Sequence, residues 1–450
     1  MATFVPPPAY TAQQLAQLYP SSLELRQVQV IFRHGERTPV HPRLQNTGLP
    51  AHWPYCASSS RFTSAVLAAR GSWDTLSYRR RLETFGPSGA AVLASAPGGI
   101  VDHICRPGEL TDIGRQTTLA LGARLRKLYV DELRFLPPAI GEEDTYYLRA
   151  TPIQRALESL QQVFTGLYPS AFRPEGHIPV IISRSPQDEN LFPNEANCRR
   201  FSQLARAFAA AAAEKWNGSE EMGYLQEKLG VWMPAGQKVA VDASPRLSGL
   251  MDTINATLAH GEGTKLPGEF YDPEVRRIMN MVNVEEWFRG YKESSEYRRL
   301  GVGSLLNDIA TRSIAAARGE TAVKLALMGC HDTTIAGLLA SLGAFDEIWP
   351  PFTSSIAVET FRVKNQRKSF WGRFTTTDRD EGWFVRVRYN EKPVVLAGCR
   401  KEGRHLQGDE AFCTMKAFRE AIDKVKTEDW KGDCARNLEL KGLPEVELVE

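Results

Sequence analysis

Residues 23–39 read LELRQVQVIFRHGERTP. From Leu23 to Phe32 apolar and polar residues alternate and then give way to a continuous apolar run, the pattern of a strand entering a buried sheet. The run stops at Arg33-His34-Gly35, so a charged motif stands where a strand emerges from the core.

Two later stretches repeat this arrangement. Tyr146-Tyr147-Leu148 is a short apolar strand ending in Arg149, and Thr151-Pro152 then opens a helix through IQRALESLQQVFTGL, proline being tolerated in a first turn. Val323 to Met328 (VKLALM) is a buried strand followed by Gly329-Cys330-His331-Asp332 and a helix starting near Thr333-Thr334. Thr111 is placed to cap a further helix through DIGRQTTLALGARLRKLY. Strands alternating with helices predict a three-layer α/β fold. Its mostly parallel sheet is flanked by helices and binds ligands beyond the carboxyl ends of its strands.

From about Ser185 to Arg298 the pattern turns helical, with an alanine-rich stretch, Trp216, Trp232 and several methionines. The expected organisation is an α/β core in residues 1–184, an inserted, mainly helical cap in 185–298, and the second part of the core in 299–450. That last part ends in a hairpin of two alternating strands, 356–363 and 383–390. The loop between them is basic and carries Phe370, Trp371 and Phe374. It reads as a solvated tip, with peripheral contact to a membrane or an anionic substrate as the alternative.

The chain has 450 residues, 42% hydrophobic and 24% charged, which is globular composition. Its 55 Lys and Arg against 53 Asp and Glu give a net charge of +2, so no global field steers nucleic acid or an anionic membrane, and anion recognition must be local. The N-terminus has neither a basic and apolar leader nor an arginine-rich transit pattern, from which an intracellular, cytoplasmic location is expected, with mitochondria as the alternative. The small-apolar run from Ala205 to Ala213, broken by Arg206, is far short of the ~20 residues that span a bilayer. Seven cysteines without CxxC spacing argue against zinc and against a fully paired framework, and reduced, buried thiols are expected.

Phosphoryl transfer needs positive charge around the non-bridging oxygens, an in-line nucleophile and a proton for the leaving oxygen. Arg33-His34-Gly35-Glu36-Arg37-Thr38-Pro39 supplies the first two, because a planar guanidinium grips two phosphate oxygens at once and two of them flank a histidine. Gly35 permits close backbone approach. RHGxRxP is the signature of the histidine acid phosphatases, which this chain resembles. Five fixed letters recur by chance in such a chain about once in ten thousand. Weaker similarities at Leu110-Thr111-x-x-Gly114, Gly303-Ser304-Leu305-Leu306, Pro350-Pro351-Phe352 and 389–394 extend it over most of residues 24 to 415.

The resemblance implies a phosphoglycerate mutase-like fold with His34 as phosphate acceptor and Arg33 and Arg37 on the phosphate. Arg149, in the stretch R-x-T-x-x-x-R that ends at Arg155, is read as the third phosphate-binding arginine. His331 binds phosphate, Asp332 protonates the leaving group, and Cys399 and Cys413 are similar to a C-terminal cysteine pair. Neither a cofactor nor a metal ion is implied. The nearest likeness is to intracellular lysophosphatidic acid phosphatases, so the expected partner is a small phosphomonoester, a lysophospholipid among the candidates. A phytase-type inositol-polyphosphate phosphatase and an inactive phosphate-binding relative are the alternatives.

The chemistry also follows from the residues. His34 must be neutral to attack phosphorus, and neighbouring arginines lower its pKa below ~6.5. Asp332 must carry a proton, which a bound phosphate dianion favours. Transfer to His34 followed by water attack, with Asp332 as base, divides one hard displacement into two.

Overall fold

The apolar run forms β1 (Leu23–Arg33), whose last seven residues are all buried. Its pleat divides the core: Val28, Val30 and Phe32 face one layer and Ile31 the other. Gln29 shares the second face, where its side-chain amide nitrogen donates to the Ile309 carbonyl and the Ser313 hydroxyl. The computed structural model describes residues 2–141, 143–364 and 380–449, so Phe370, Trp371 and Phe374 lie outside the described residues.

Helix α1 (Ala12–Leu18) precedes β1. After β1 come two small hairpins apart from the main sheet, β2 (Phe62–Leu67) with β3 (Trp73–Tyr78) and β4 (Glu83–Phe85) with β5 (Ala91–Leu93). Helix α2 (Asp112–Leu125) starts where expected, the Thr111 hydroxyl accepting from the Gly114 N–H. Then follow β6 (Tyr146–Ala150), α3 (Gln154–Leu167) and β7 (Ile181–Ile182). Residues 185–298 hold α4 (Arg199–Trp216), α5 (Glu220–Leu229), α6 (Leu247–His260), α7 (Pro273–Glu293) and α8 (Ser295–Arg298). The chain continues through α9 (Ser304–Arg318), β8 (Leu325–Cys330), α10 (Asp332–Ser341), β9 (Ser355–Val363), β10 (Trp383–Tyr389) and β11 (Lys392–Val394). It closes with β12 (His405–Leu406), β13 (Asp409–Thr414), α11 (Met415–Asp423) and α12 (Trp430–Asp433).

The main sheet runs β12-β13-β10-β9-β1-β8-β6-β7. Strands β1, β8, β6 and β7 are parallel, and from β9 outward the pairing is antiparallel. Arg33 lies opposite Cys330, and Gly329 pairs with both Phe32 and Ala150. The three motif-bearing strands therefore end side by side, because parallel strands present their carboxyl ends on one edge. Helices α2 and α3 cover one face of the sheet, while α9, α10 and α11 pack into the core on the other. A separate core joins α5, α6 and α7 to Leu44, Leu49 and Trp53, which come from the segment after the first motif.

The expectation of reduced thiols is corrected. Disulfides join Cys56 to Cys105, Cys198 to Cys434 and Cys399 to Cys413, and Cys330 is the free, buried thiol. The fold brings each pair of Cα atoms to 5.2, 4.8 and 5.3 Å, inside bridging range, although 49 and 236 residues separate the first two pairs. Among the described residues no helix is long and apolar enough to cross a membrane.

Candidate active site

Arg33 is the last residue of β1, His34 follows it, and His331 caps α10 so that Asp332 is that helix's first residue. The His34 N–H donates to the Cys330 carbonyl at 3.0 Å, tying the two loops together, and the His34 and His331 rings meet edge-on at 5.4 Å. Gly35 and Gly114 cross backbone to backbone. A Cβ on Gly35 would lie 2.3 Å from the Gly114 carbonyl oxygen, and one on Gly114 would lie 2.2 Å from that of Glu36. Close approach is what Gly35 provides, toward α2.

His34 is buried, and its Nδ1 lies 2.8 Å from the Gly35 carbonyl oxygen. A carbonyl only accepts, so Nδ1 carries the hydrogen and Nε2 keeps its lone pair. Burial first, then the charges of Arg155, Arg33 and Arg37, hold its pKa well below that of free histidine. His331 is shifted the same way by burial and Arg155, and its Nε2 sits 3.1 Å from the Thr151 hydroxyl.

Asp332 Oδ2 is held by Arg33 Nη2 at 2.7 Å and accepts from the Trp349 indole N–H at 3.1 Å. Burial pushes its pKa up, but Arg33, Arg37 and the indole outweigh burial, and the net direction is down. Arg33 also donates to the Pro350 carbonyl at 2.5 Å and stacks on Phe352 at 4.1 Å, which fixes its fork. Arg37 Nη2 lies 2.8 Å from Oδ1 of Asp252, a residue of α6 whose other carboxylate oxygen faces Arg43 at 3.7 Å.

The reading of Arg149 is corrected. Its side chain is fully buried and donates to Glu189, to Asn190 Oδ1 at 2.8 Å and toward Asp308 at 3.5 Å, so its fork is engaged away from His34. Arg155, the second residue of α3, stands at the motif instead. The Gly35 N–H donates to the Ser159 hydroxyl at 3.1 Å, which donates in turn to the Arg155 carbonyl at 2.7 Å. Burial, with Arg37 next, lowers the Arg155 pKa to about 10, and Arg155 is the strongest charge acting on both His34 and His331.

Arg33, Arg37 and Asp332 line one end of a cleft of about 1010 Å³. Its polar wall includes Arg43, Arg246, Asp252 and Asn255, and its apolar wall includes Trp232, Met233, Met251, Trp287 and Trp349.

A family model described as the histidine phosphatase superfamily (branch 2) matches residues 24–390. The chain belongs to this family. Among similar proteins, a probable acid phosphatase of Schizosaccharomyces pombe is 39% identical over 447 residues, covering 92% of this chain and 95% of the relative. Human lysophosphatidic acid phosphatase type 6 is 27% identical over 418 residues, covering 89% of this chain and 83% of that protein. The solved Hafnia alvei phytase aligns with a TM-score of 0.56 at 13% identity, covering 92% of this chain and 99% of that one, which shows a shared fold.

Sequence reasoning missed Arg155, Asp252 and Trp349. Arg155 had a usable signal, since it falls in the first turn of a helix opened by Thr151-Pro152, the end that favours anions. Asp252 and Trp349 had none, because only the tertiary fold brings α6 to Arg37 and Trp349 to Asp332.

Proposed function

We propose that this histidine acid phosphatase hydrolyses phosphate monoesters through a phosphohistidine on His34. The observation that carries this is the His34 ring, neutral, with Nδ1 held by a carbonyl and Nε2 free to attack, among three arginines. Arg33, Arg37 and Arg155 would hold the non-bridging oxygens, with His331 beside them. His34 Nε2 forms the bond to phosphorus as the bond to the ester oxygen breaks, and Asp332 gives that oxygen its proton. Water then attacks the phosphohistidine, Asp332 takes its proton, and phosphate leaves. The arginines take the place of a metal ion in neutralising charge.

The substrate reading is a lysophospholipid such as lysophosphatidate. It is supported by the apolar cleft wall, which suits an acyl chain, and by the likeness to a lysophosphatidic acid phosphatase. A phytase-like activity on inositol polyphosphates is the second reading, favoured by Arg43 and Arg246 on the wall. The Asp252 carboxylate and the tryptophans weigh against a polyanion there. The helices of 185–298 act as a cap that shapes this specificity. Three disulfides favour an oxidising compartment over the cytoplasm.

The test is hydrolysis of p-nitrophenyl phosphate, lysophosphatidate and inositol hexakisphosphate with EDTA present, from about pH 4 to 8. Metal-independent turnover with preference for lysophosphatidate is expected. Preference for the hexakisphosphate would replace the substrate reading, and loss of all activity in EDTA would overturn the mechanism.

A further inference from the structure

Residues 57–104 leave the core as an arm whose ends are tied by the Cys56–Cys105 disulfide. Strand β2 pairs with β3 and β4 with β5, and neither ribbon joins the main sheet. Every residue of β3 and of β5 is exposed. The outermost pairs are apolar, Leu67 with Trp73 and Phe85 with Ala91. Leu67, Trp73 and Phe85 are 67%, 70% and 82% exposed. Large apolar side chains this exposed at the tips of both ribbons fit an interaction surface.

Charge on the arm is segregated. Residues 84–101 contain no charged side chain, whereas Arg61, Arg79, Arg80 and Arg81 gather where the first ribbon begins and ends. Arg80 anchors the root through Glu109 at 2.7 Å, while Arg61 and Arg79 are exposed. The returning chain runs alongside the first motif: the Thr38 hydroxyl donates to the Arg106 carbonyl at 2.7 Å, and Arg37 bridges to Leu110.

We propose that this arm docks the enzyme on an anionic lipid surface. The apolar ribbon ends enter the boundary between headgroups and acyl chains, and the exposed Arg61 and Arg79 at the root meet lipid phosphates. Tryptophan and phenylalanine at the tips with arginine behind them is the distribution that such an interface selects. Charge decides between this occupant and a second copy of the chain. Of the arm's five arginines, Arg80 pairs with Glu109 and Arg81 with Asp102, which leaves Arg61, Arg70 and Arg79 against Asp74 and Glu83, a positive excess that an anionic bilayer neutralises and a second copy does not. The lysophospholipid reading supplies the purpose of docking, and the proposal rests on it for that purpose alone.

The experiment is co-sedimentation of the full chain with phosphatidylcholine vesicles, with and without phosphatidylglycerol, for wild type and for the double variant Trp73→Ser, Phe85→Ser. Wild type should bind the phosphatidylglycerol vesicles, and the variant at least about tenfold less, with p-nitrophenyl phosphate hydrolysis unchanged in both. Failure of wild type to bind, or equal binding by the variant, overturns the proposal. So does a wild-type dimer in sedimentation velocity that the variant converts to monomer, because the arm then covers a second copy. Turnover of monomeric lysophosphatidate is measured separately: vesicle binding without that turnover removes the substrate reading, and turnover without binding removes the arm proposal.

Discussion

Arg33 Nη2 lies 2.7 Å from Asp332 Oδ2, so the proposed phosphate ligand and the proposed proton donor hold each other. A phosphate dianion that takes over the Arg33 fork removes the contact that most strongly stabilises the Asp332 carboxylate. Substrate binding itself then raises the proton affinity of the acid.

That exchange makes the leaving group diagnostic. An alkoxide needs its proton and p-nitrophenolate does not, so Asp332→Asn should lower kcat by about 10²–10⁴-fold on an alkyl phosphate and far less in the first step with p-nitrophenyl phosphate. Rapid-quench kinetics should show a burst of p-nitrophenol, since the second step loses its base. Equal losses in the first step on both substrates would contradict this role.

The pH dependence has a definite sign. His34 has a lowered pKa, so its neutral form is fully present above pH ~6.5 and is lost only well below it. Asp332 donates only while protonated, so alkyl phosphate turnover should rise as pH falls from about 7 to 5. A kcat profile that instead falls through an ordinary histidine titration near 6.5 would count against a neutral nucleophile.

Two arginines of one sequence stretch should behave oppositely. Arg155→Ala should cost about 10²–10³-fold in kcat with little change in melting temperature, as loss of a donor on transition-state charge does. Arg149→Ala strands the buried Glu189 carboxylate and should destabilise the fold by about 3–5 kcal/mol. Thermal melts beside kcat/KM for both variants test the assignment, and reversed outcomes would restore Arg149 to the site.

Asp252 pairs with Arg37 at the cleft wall. Asp252→Asn should raise kcat/KM for inositol hexakisphosphate relative to p-nitrophenyl phosphate by about tenfold, the worth of one unfavourable carboxylate contact of ~1.4 kcal/mol. An unchanged ratio would show that this carboxylate does not select against polyanions.

The sheet and most of the candidate site could be read from the chain because both lie in short segments. A strand pattern running into Arg33-His34 and another into His331-Asp332 place both motifs at the carboxyl edge of a mostly parallel sheet, while the order of the strands comes from their pairing. Arg149 was misread because strand position was weighed and the first turn of α3 was not, although Arg155 occupies it. The Cys198–Cys434 disulfide and the Asp252 pairing depend on contacts between distant segments, for which local periodicity carries no signal.

The most direct measurement is acid-free quenching of turnover by Asp332→Asn with p-nitrophenyl phosphate, followed by mass spectrometry of the peptide that contains His34. One phosphoryl group on His34, absent from His34→Ala, is the expected result. Steady turnover with that peptide unmodified, or activity retained in His34→Ala, would contradict the phosphohistidine mechanism.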